Sequence, residues 1–132
     1  MNYVAIDPSL SCTAMVVNHN KYVYTTPTVA HTKKGELKRW FNLCEIHAKI
    51  RIFNEPDDSS NHSEKELAKF NHYNEITSKI ITDILKYVIP GEQITAAIEG
   101  YSYSSSAGPL IDLVTFGTLL RSKLINTFPD IQ

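Results

Sequence analysis

Two acidic residues stand directly after short apolar runs that are typical of buried strands. Asp7 follows residues 3–6, and Glu99 follows Ile94–Ile98. Carboxylates are costly to bury without a partner. When two parallel strands each end in an acid, both carboxylates emerge at the same edge of the sheet, where ligands bind in open α/β folds. We therefore expect Asp7 and Glu99 to lie side by side.

Such a pair is suited to a divalent cation. Two carboxylates a few ångströms apart repel each other unless they share a proton or a cation. Hard oxygen ligands without a neighbouring cluster of His or Cys favour Mg²⁺ or Mn²⁺, and such ions support phosphodiester hydrolysis. The spacing alone equally allows a plainer interpretation, in which Asp7 begins a turn before Pro8 and Glu99 ends a strand.

The first half of the chain predicts strands followed by a helix. Three strands are predicted, in residues 3–6, 12–17 and 21–26, and together they form an antiparallel meander. A helix spans Gly35 to Cys44, with Leu37, Trp40, Phe41 and Cys44 at helical spacing. Apolar residues then alternate from Ile46 to Ile52, which predicts an additional strand, with a continued helix as the competing interpretation.

The second half predicts a long helix, a strand and a last helix. Ser63 and Glu66 fit a capping box at the start of the long helix, which ends before Pro90. The strand before Glu99 follows, and Pro109 suits the first turn of the last helix. A long helix between the meander and a later buried strand implies a right-handed crossover to a parallel neighbour.

Length and composition are those of one ordinary globular domain covering residues 1–132. Hydrophobic residues make up 42% and charged residues 20% of the chain. We predict an α/β fold with a mixed sheet flanked by helices. Neither a membrane-spanning run nor a signal peptide is evident, which predicts a cytoplasmic protein without membrane contact. Cys12 and Cys44 are expected to be reduced and buried.

The net charge of −1 argues mildly against a strong non-specific DNA binder, but the charges are unevenly distributed. Residues 32–51 contain six basic residues against two acids, whereas residues 55–66 contain five acids against one Lys. The basic segment, with Lys33 and Lys34 at its start, could meet phosphates. The alternative is a pair of solvated surface stretches. On the last helix, Arg121 and Lys123 are expected to join this basic patch or to face solvent.

Two segments resemble one known family. VAIDPSLSCTAMVV (residues 4–17) resembles the first hairpin of the RuvC family of Holliday junction resolvases, in which the first strand ends in an acid. AAIEGYSYSSSAGPLIDLVTFGTLLRSKL (residues 96–124) resembles the second motif of that family, in its bacteriophage-type branch. Together the two motifs cover about a third of the chain.

This resemblance implies a ribonuclease H-like fold, ligation of Mg²⁺ or Mn²⁺ by the catalytic residues Asp7 and Glu99, and structure-selective cleavage of branched or four-way-junction DNA. It also implies a homodimer, located in the host cytoplasm if the protein is viral. The attacking group would come from water, so the reaction requires no side-chain nucleophile.

The loop after Glu99 offers further contacts to DNA. Tyr101 and Tyr103 could stack on an unpaired base, although either ring could instead pack into the protein. Ser102 and Ser104 could donate to phosphate beside a helix N-terminus, or simply form a loop and cap. The complete set of predicted DNA-binding residues is Ser9, Ser11, Lys33, Lys34, Tyr101, Ser102, Tyr103 and Ser104.

One departure from the family divides the functional hypotheses. Resolvases of this type carry further acidic ligands on a C-terminal helix after another strand, and the sequence reaches Gln132 roughly where that strand would begin. Asp130 is the only late acid, and Asp112 is expected to have a surface or capping role. We therefore expect a fragment, one piece of a split enzyme, or a member that has lost cleavage.

Two functions of different classes follow. The chain is either the major part of a metal-dependent endonuclease or a non-catalytic nucleic-acid-binding or assembly module on the same fold. A weaker alternative is half of a sugar-kinase-like or actin-like ATPase. That superfamily requires a glycine-rich hairpin after the first acid, and residues 8–11 contain no glycine.

Overall fold

The computed structural model describes residues 1–32, 34–56, 61–100 and 107–132. Its elements, in chain order, are β1 (Asn2–Asp7), β2 (Cys12–Val17), β3 (Asn20–Thr25), α1 (Pro27–Ala30), α2 (Gly35–His47), β4 (Lys49–Ile52), α3 (His62–Leu85), β5 (Ile94–Ile98) and α4 (Ala107–Thr127). In these ranges no helix is both long enough and apolar enough to cross a membrane.

The five strands form one mixed sheet in the order β4-β3-β2-β1-β5. β1, β2 and β3 are the predicted antiparallel meander, and β5 lies parallel to β1 after the crossover through α3. β4 lies parallel to β3 at the opposite edge. The predicted α/β class, with a mixed sheet flanked by helices, is confirmed.

The boundary between α2 and β4 falls between the two predicted alternatives. The helix continues to His47, and the Ala48 N–H donates to the Cys44 carbonyl at 2.8 Å. β4 begins only at Lys49. The alternation of apolar residues therefore placed the strand start too early, because Ile46 belongs to the helix and is 73% exposed there.

The main core lies between one face of the sheet and the helices α3 and α4. β1 alternates strictly, so that Val4 and Ile6 face this core while the residues between them face the other side. Ile80 of α3 and Leu120 of α4 are completely buried against it. This alternation follows from the two-residue repeat of a strand, and it directs the side chain of Asp7 away from the core.

Two asparagine side chains form hydrogen bonds at the end of the sheet opposite the carboxyl end of β1. Asn18 has a φ of 52° in the β2–β3 turn, a left-handed conformation that Asn tolerates better than most residues. Its side chain accepts from the Tyr3 N–H at 3.0 Å and donates to the Tyr87 carbonyl at 3.0 Å. Buried Asn2 accepts from the Ile89 N–H at 3.0 Å. The start of β1 is therefore fixed against the segment after α3.

The outer edge of β5 is contacted by Gln132. The Gln132 N–H donates to the Ile94 carbonyl at 3.0 Å, and the Ala96 N–H donates to the Gln132 carbonyl at 2.7 Å. These two hydrogen bonds have the pattern of a parallel strand pair. β5 is thus hydrogen-bonded to β1 on one side and to Gln132 on the other.

The N-terminus of α3 differs from the prediction. The N-cap is Asn61, whose side chain accepts from the Ser63 N–H at 2.9 Å and the Glu64 N–H at 3.3 Å. The predicted capping box with Ser63 as the cap and Glu66 three residues later is wrong. Asn is as good an N-cap as Ser, and the earlier start places Ser63 inside the first turn.

The cap assignment can be tested by two alanine substitutions. Asn61→Ala should lower the free energy of unfolding by about 1 kcal/mol, because two backbone N–H groups lose their acceptor. Ser63→Ala is the matched control and should change it by less than about 0.5 kcal/mol. Urea unfolding followed by circular dichroism measures both values. A larger loss in Ser63→Ala than in Asn61→Ala would contradict the assignment.

Candidate functional site

Asp7 and Glu99 are brought together by the parallel pairing of β1 and β5. The register runs from Asn2 opposite Ile94 to Ile6 opposite Ile98. The Glu99 N–H then donates to the Ile6 carbonyl at 3.0 Å, which extends the pairing by one position. Both acidic residues are exposed and lie on the face away from the main core. The juxtaposition predicted from the sequence is confirmed.

The two carboxyl groups interact directly. The hydrogen bond that the protonated Glu99 carboxyl group donates to the Asp7 carboxylate, together with the negative charge of Asp7, raises the pKa of Glu99. A raised pKa means that the pair binds a proton more readily than an isolated glutamate does. At neutral pH the two like charges therefore repel each other, and a bound proton or cation relieves that repulsion.

The turn after Asp7 is fixed by threonines that the sequence prediction missed. The Thr13 hydroxyl accepts from the Ser9 N–H at 3.3 Å and donates to the Ser9 carbonyl at 2.9 Å. The Thr25 hydroxyl donates to the Ser11 carbonyl at 2.9 Å. Thr13 and Thr25 are almost completely buried, at 2% and 1% exposure. The available signal was the two-residue alternation of β2, which places Thr13 on the same face as Met15 and Val17. A hydroxyl buried on that face must find a partner in the adjacent turn.

The remaining predicted DNA-binding residues fall into two groups. Lys34 is exposed at the N-cap of α2. Because Thr25 pairs with Cys12, the chain leaves β3 at the same end of the sheet as Asp7, and α2 starts near that end. The other predicted contacts lie outside the described residues: Lys33, Tyr101, Ser102, Tyr103 and Ser104.

An open groove of about 670 Å³ extends from the two carboxylates across the exposed sheet face. Its floor includes the small residues Ala5, Ala14 and Ala97, and α2 forms a wall with Trp40 and Leu43. Trp40 is 48% exposed and Leu43 is 59% exposed. Of the residues that predicted this helix by their spacing, Phe41 is the buried one.

The cysteines flank the same region and are free. Cys44 lines the groove from α2, and Cys12 stands at the start of β2. Both thiols are half-buried rather than fully buried, and burial raises the pKa of each. A raised pKa keeps a thiol protonated and unreactive at neutral pH. The expected full burial of the two cysteines is therefore wrong.

Two residues of α4 contact α3. Lys69 and Asp112 form an ion pair at 3.3 Å, as expected of a surface role for Asp112. The Lys123 ammonium donates to the Asn74 carbonyl at 2.9 Å and to the Ser78 hydroxyl at 2.6 Å. The prediction that Lys123 joins the basic patch or points to solvent is therefore wrong. Its long side chain instead bridges polar groups on α3.

The donor set fits one hydrated cation. No group of three or more His, Cys, Asp or Glu side chains suitable for a metal occurs within the described ranges. Mg²⁺ commonly binds through one or two carboxylates and retains several waters. The Asp7–Glu99 pair meets that minimum with hard oxygen donors. It does not by itself provide a closed cage or a site for two ions.

Comparison with protein-family models, with curated proteins and with solved structures finds no match for this chain.

The coupling of the carboxyl groups predicts how stability varies with pH. Glu99 has a raised folded pKa, so the stabilisation from its bound proton is complete below the unfolded pKa of about 4.3 and is lost as the pH rises through the folded pKa. Asp7→Asn removes the repulsion. The free energy of unfolding at pH 7 should therefore be higher for Asp7→Asn than for the unmodified chain. In acid the two free energies of unfolding should become equal.

An NMR titration of the Glu99 side-chain carboxyl carbon should also show a lower pKa in Asp7→Asn. Asp130→Asn, which removes another exposed acid, is the control and should leave the Glu99 titration unchanged. An unaltered Glu99 pKa in Asp7→Asn would show that the two carboxyl groups are not coupled.

Proposed function

We propose that this chain is a divalent-metal-dependent, structure-selective DNA endonuclease that hydrolyses phosphodiester bonds in branched or four-way-junction DNA. The observation that supports this most directly is the coupled pair of Asp7 and Glu99. Two exposed carboxylates at neighbouring strand ends, with mutual repulsion that a cation would relieve, suit Mg²⁺ or Mn²⁺.

The topology is compatible with a ribonuclease H-like fold, which is part of this proposal. An antiparallel meander is followed, after a long helix, by a strand parallel to β1. The two segments that resemble RuvC resolvases coincide with β1–β2 and with the region from β5 into α4. Each resembling motif therefore contributes one of the two carboxylates.

When bound, a divalent cation supplies Lewis acidity toward the phosphodiester and lowers the pKa of water. Asp7 and Glu99 contribute the oxygen ligands, and the β1–β5 register holds them at a fixed separation. Because a proton on Glu99 competes with the cation, the affinity for Mg²⁺ falls as the pH decreases.

The surrounding residues orient the substrate. Thr13 and Thr25 fix the turn that follows Asp7, which keeps Ser9 and Ser11 beside the site. Lys34 supplies positive charge for a DNA phosphate at the same end of the sheet. In this proposal two copies act as a homodimer, so that each copy addresses one strand of a junction.

A second candidate is a non-catalytic nucleic-acid-binding or assembly module on the same fold. The observation that favours it is the lack of a third acidic, His or Cys ligand beside the pair within the described residues. A centre of two carboxylates holds a cation less firmly than a site with more charged ligands. This candidate predicts binding of branched DNA without cleavage.

The two candidates are separated by a cleavage assay on four-way-junction DNA in Mg²⁺ and in Mn²⁺. Asp7→Asn and Glu99→Gln should each reduce the cleavage rate at least a hundredfold (~3 kcal/mol), because each removes a cation ligand. Junction binding in EDTA should persist in both variants. Asp112→Asn is the control and should cleave normally, because Asp112 contacts Lys69 instead.

Cleavage that persists in Asp7→Asn would reject the proposed enzyme. Binding without cleavage by the unmodified chain, at all concentrations of both metals, would support the binding module instead.

A further inference from the structure

A buried carboxylate on α3 gathers basic side chains at the sheet edge farthest from β5. The Asp83 side chain is completely buried. Its Oδ1 accepts from Arg51 at 3.1 Å and from Lys86 at 3.0 Å, and Lys79 lies 3.5 Å away. Its Oδ2 accepts from the Tyr24 hydroxyl at 2.9 Å. Three cations therefore share a single carboxylate.

A fourth cation lies next to them over aromatic rings. The Lys49 ammonium donates to the Tyr87 hydroxyl at 2.8 Å and lies 5.7 Å from the centroid of the Tyr22 ring. The guanidinium carbon of Arg51 is 5.4 Å from the same centroid. We refer to Lys49, Arg51, Lys79, Lys86 and Asp83 as the Asp83 cluster.

The Asp83 cluster has an excess of positive charge. Burial alone raises the pKa of Asp83, but hydrogen bonds from Arg51, Lys86 and Tyr24 outweigh it and hold the pKa below its usual value. Asp83 is therefore ionised at neutral pH and offsets one of the four cations. The chain as a whole has a net charge of −1, so the surplus in this cluster is a local feature.

Attachment of β4 to α3 does not account for all four cations. Arg51 alone connects the edge strand to Asp83, with two of its nitrogens on the carboxylate. Lys86 is 46% exposed, and Lys49 contacts no carboxylate among the described residues. Cations confined close together repel each other, and an external anion would relieve that repulsion.

We infer that the Asp83 cluster is a binding surface for the phosphates of a nucleic-acid backbone. The cations come from a strand and a helix and are held in place by Asp83 and the Tyr rings, so little side-chain freedom is lost on binding. The Tyr87 oxygen accepts from both Tyr22 and Lys49, so its own proton can be donated to an anion.

This surface is separate from the Asp7–Glu99 site. Lys86 follows the end of α3, and Lys49 begins β4, three strands across the sheet from β1. Lys49 pairs with the core residue Tyr22 and so lies on the opposite face of the sheet from Asp7. Three inter-strand spacings of about 4.8 Å separate β4 from β1 by roughly 14 Å, so one small anion cannot contact both regions. The choice of nucleic acid rests on the proposed function, whereas the presence of an anion site rests on the cluster alone.

The experiment measures fluorescence anisotropy of a labelled, unbranched DNA duplex with the full 132-residue chain. EDTA is included so that cation chemistry at Asp7 and Glu99 does not contribute. The double variant Lys49→Gln/Lys86→Gln should bind about tenfold more weakly at about 50 mM salt. The slope of log affinity against log salt should become shallower by about 2, because two phosphate contacts are lost.

The double variant Lys65→Gln/Lys69→Gln removes the same charge from α3, away from the cluster and from the groove beside Asp7, and should bind nearly normally. Equal losses in the two double variants, or no binding by the unmodified chain, would overturn the inference.

Inorganic phosphate is titrated separately and followed by the NMR signals of Lys49 and Lys86. If inorganic phosphate binds at the cluster and the duplex does not, the ligand is free phosphate rather than a nucleic-acid backbone, and the inference is overturned. Tighter binding of labelled polyglutamate of equal charge would instead identify an acidic peptide and overturn the inference.

Asp7→Asn is expected to bind the duplex normally, which separates this inference from the proposed function. If duplex binding depends on Lys49 and Lys86 but Asp7→Asn still cleaves, the enzyme proposal fails while the anion surface stands. If Asp7→Asn loses cleavage while the Lys49→Gln/Lys86→Gln variant binds normally, the anion surface fails while the enzyme proposal stands.

Discussion

The parallel hydrogen bonding between β1 and β5 is the interaction on which the candidate site depends. These strands are far apart in sequence, and the crossover through α3 is what brings them side by side. The bond from the Glu99 N–H to the Ile6 carbonyl sets the position of both acids. Since strand side chains alternate between faces, a shift of one residue would turn one carboxylate into the core. The relative position of the two carboxylates is therefore fixed by the pairing of the two strands.

The sheet divides structural and chemical roles between its two faces. Residues such as Val4 and Ile6 pack under α3 and α4 on one face, and the stability of the domain comes mainly from that side. The other face presents alanines beside α2 and leads to the carboxylates. Small side chains leave room close to the sheet backbone. The groove therefore exists because the side chains of Ala5, Ala14 and Ala97 are small, as well as because Trp40 stands at its side.

The sequence allowed the strands and the acidic pair to be predicted, because both depend on short-range patterns. β2 and β5 have the predicted bounds, since apolar runs ending in turn residues are strong local signals. The start of α3 was misjudged because Asn61 and Ser63 are both good caps. The Asp83 cluster was not predicted at all. Its members come from β4 and α3, and no local pattern indicates that Arg51 meets an acid 32 residues later.

The edge strand β4 has a further consequence for the behaviour of the protein in concentrated solution. Lys49 and Arg51 alternate along a strand of four residues whose outer side has no neighbouring strand in the described sheet. An unpaired edge can recruit another chain and start aggregation, and short, positively charged edges resist this because two such edges repel. The same side chains that contact Asp83 and Tyr22 thus also keep the molecules from stacking edge to edge.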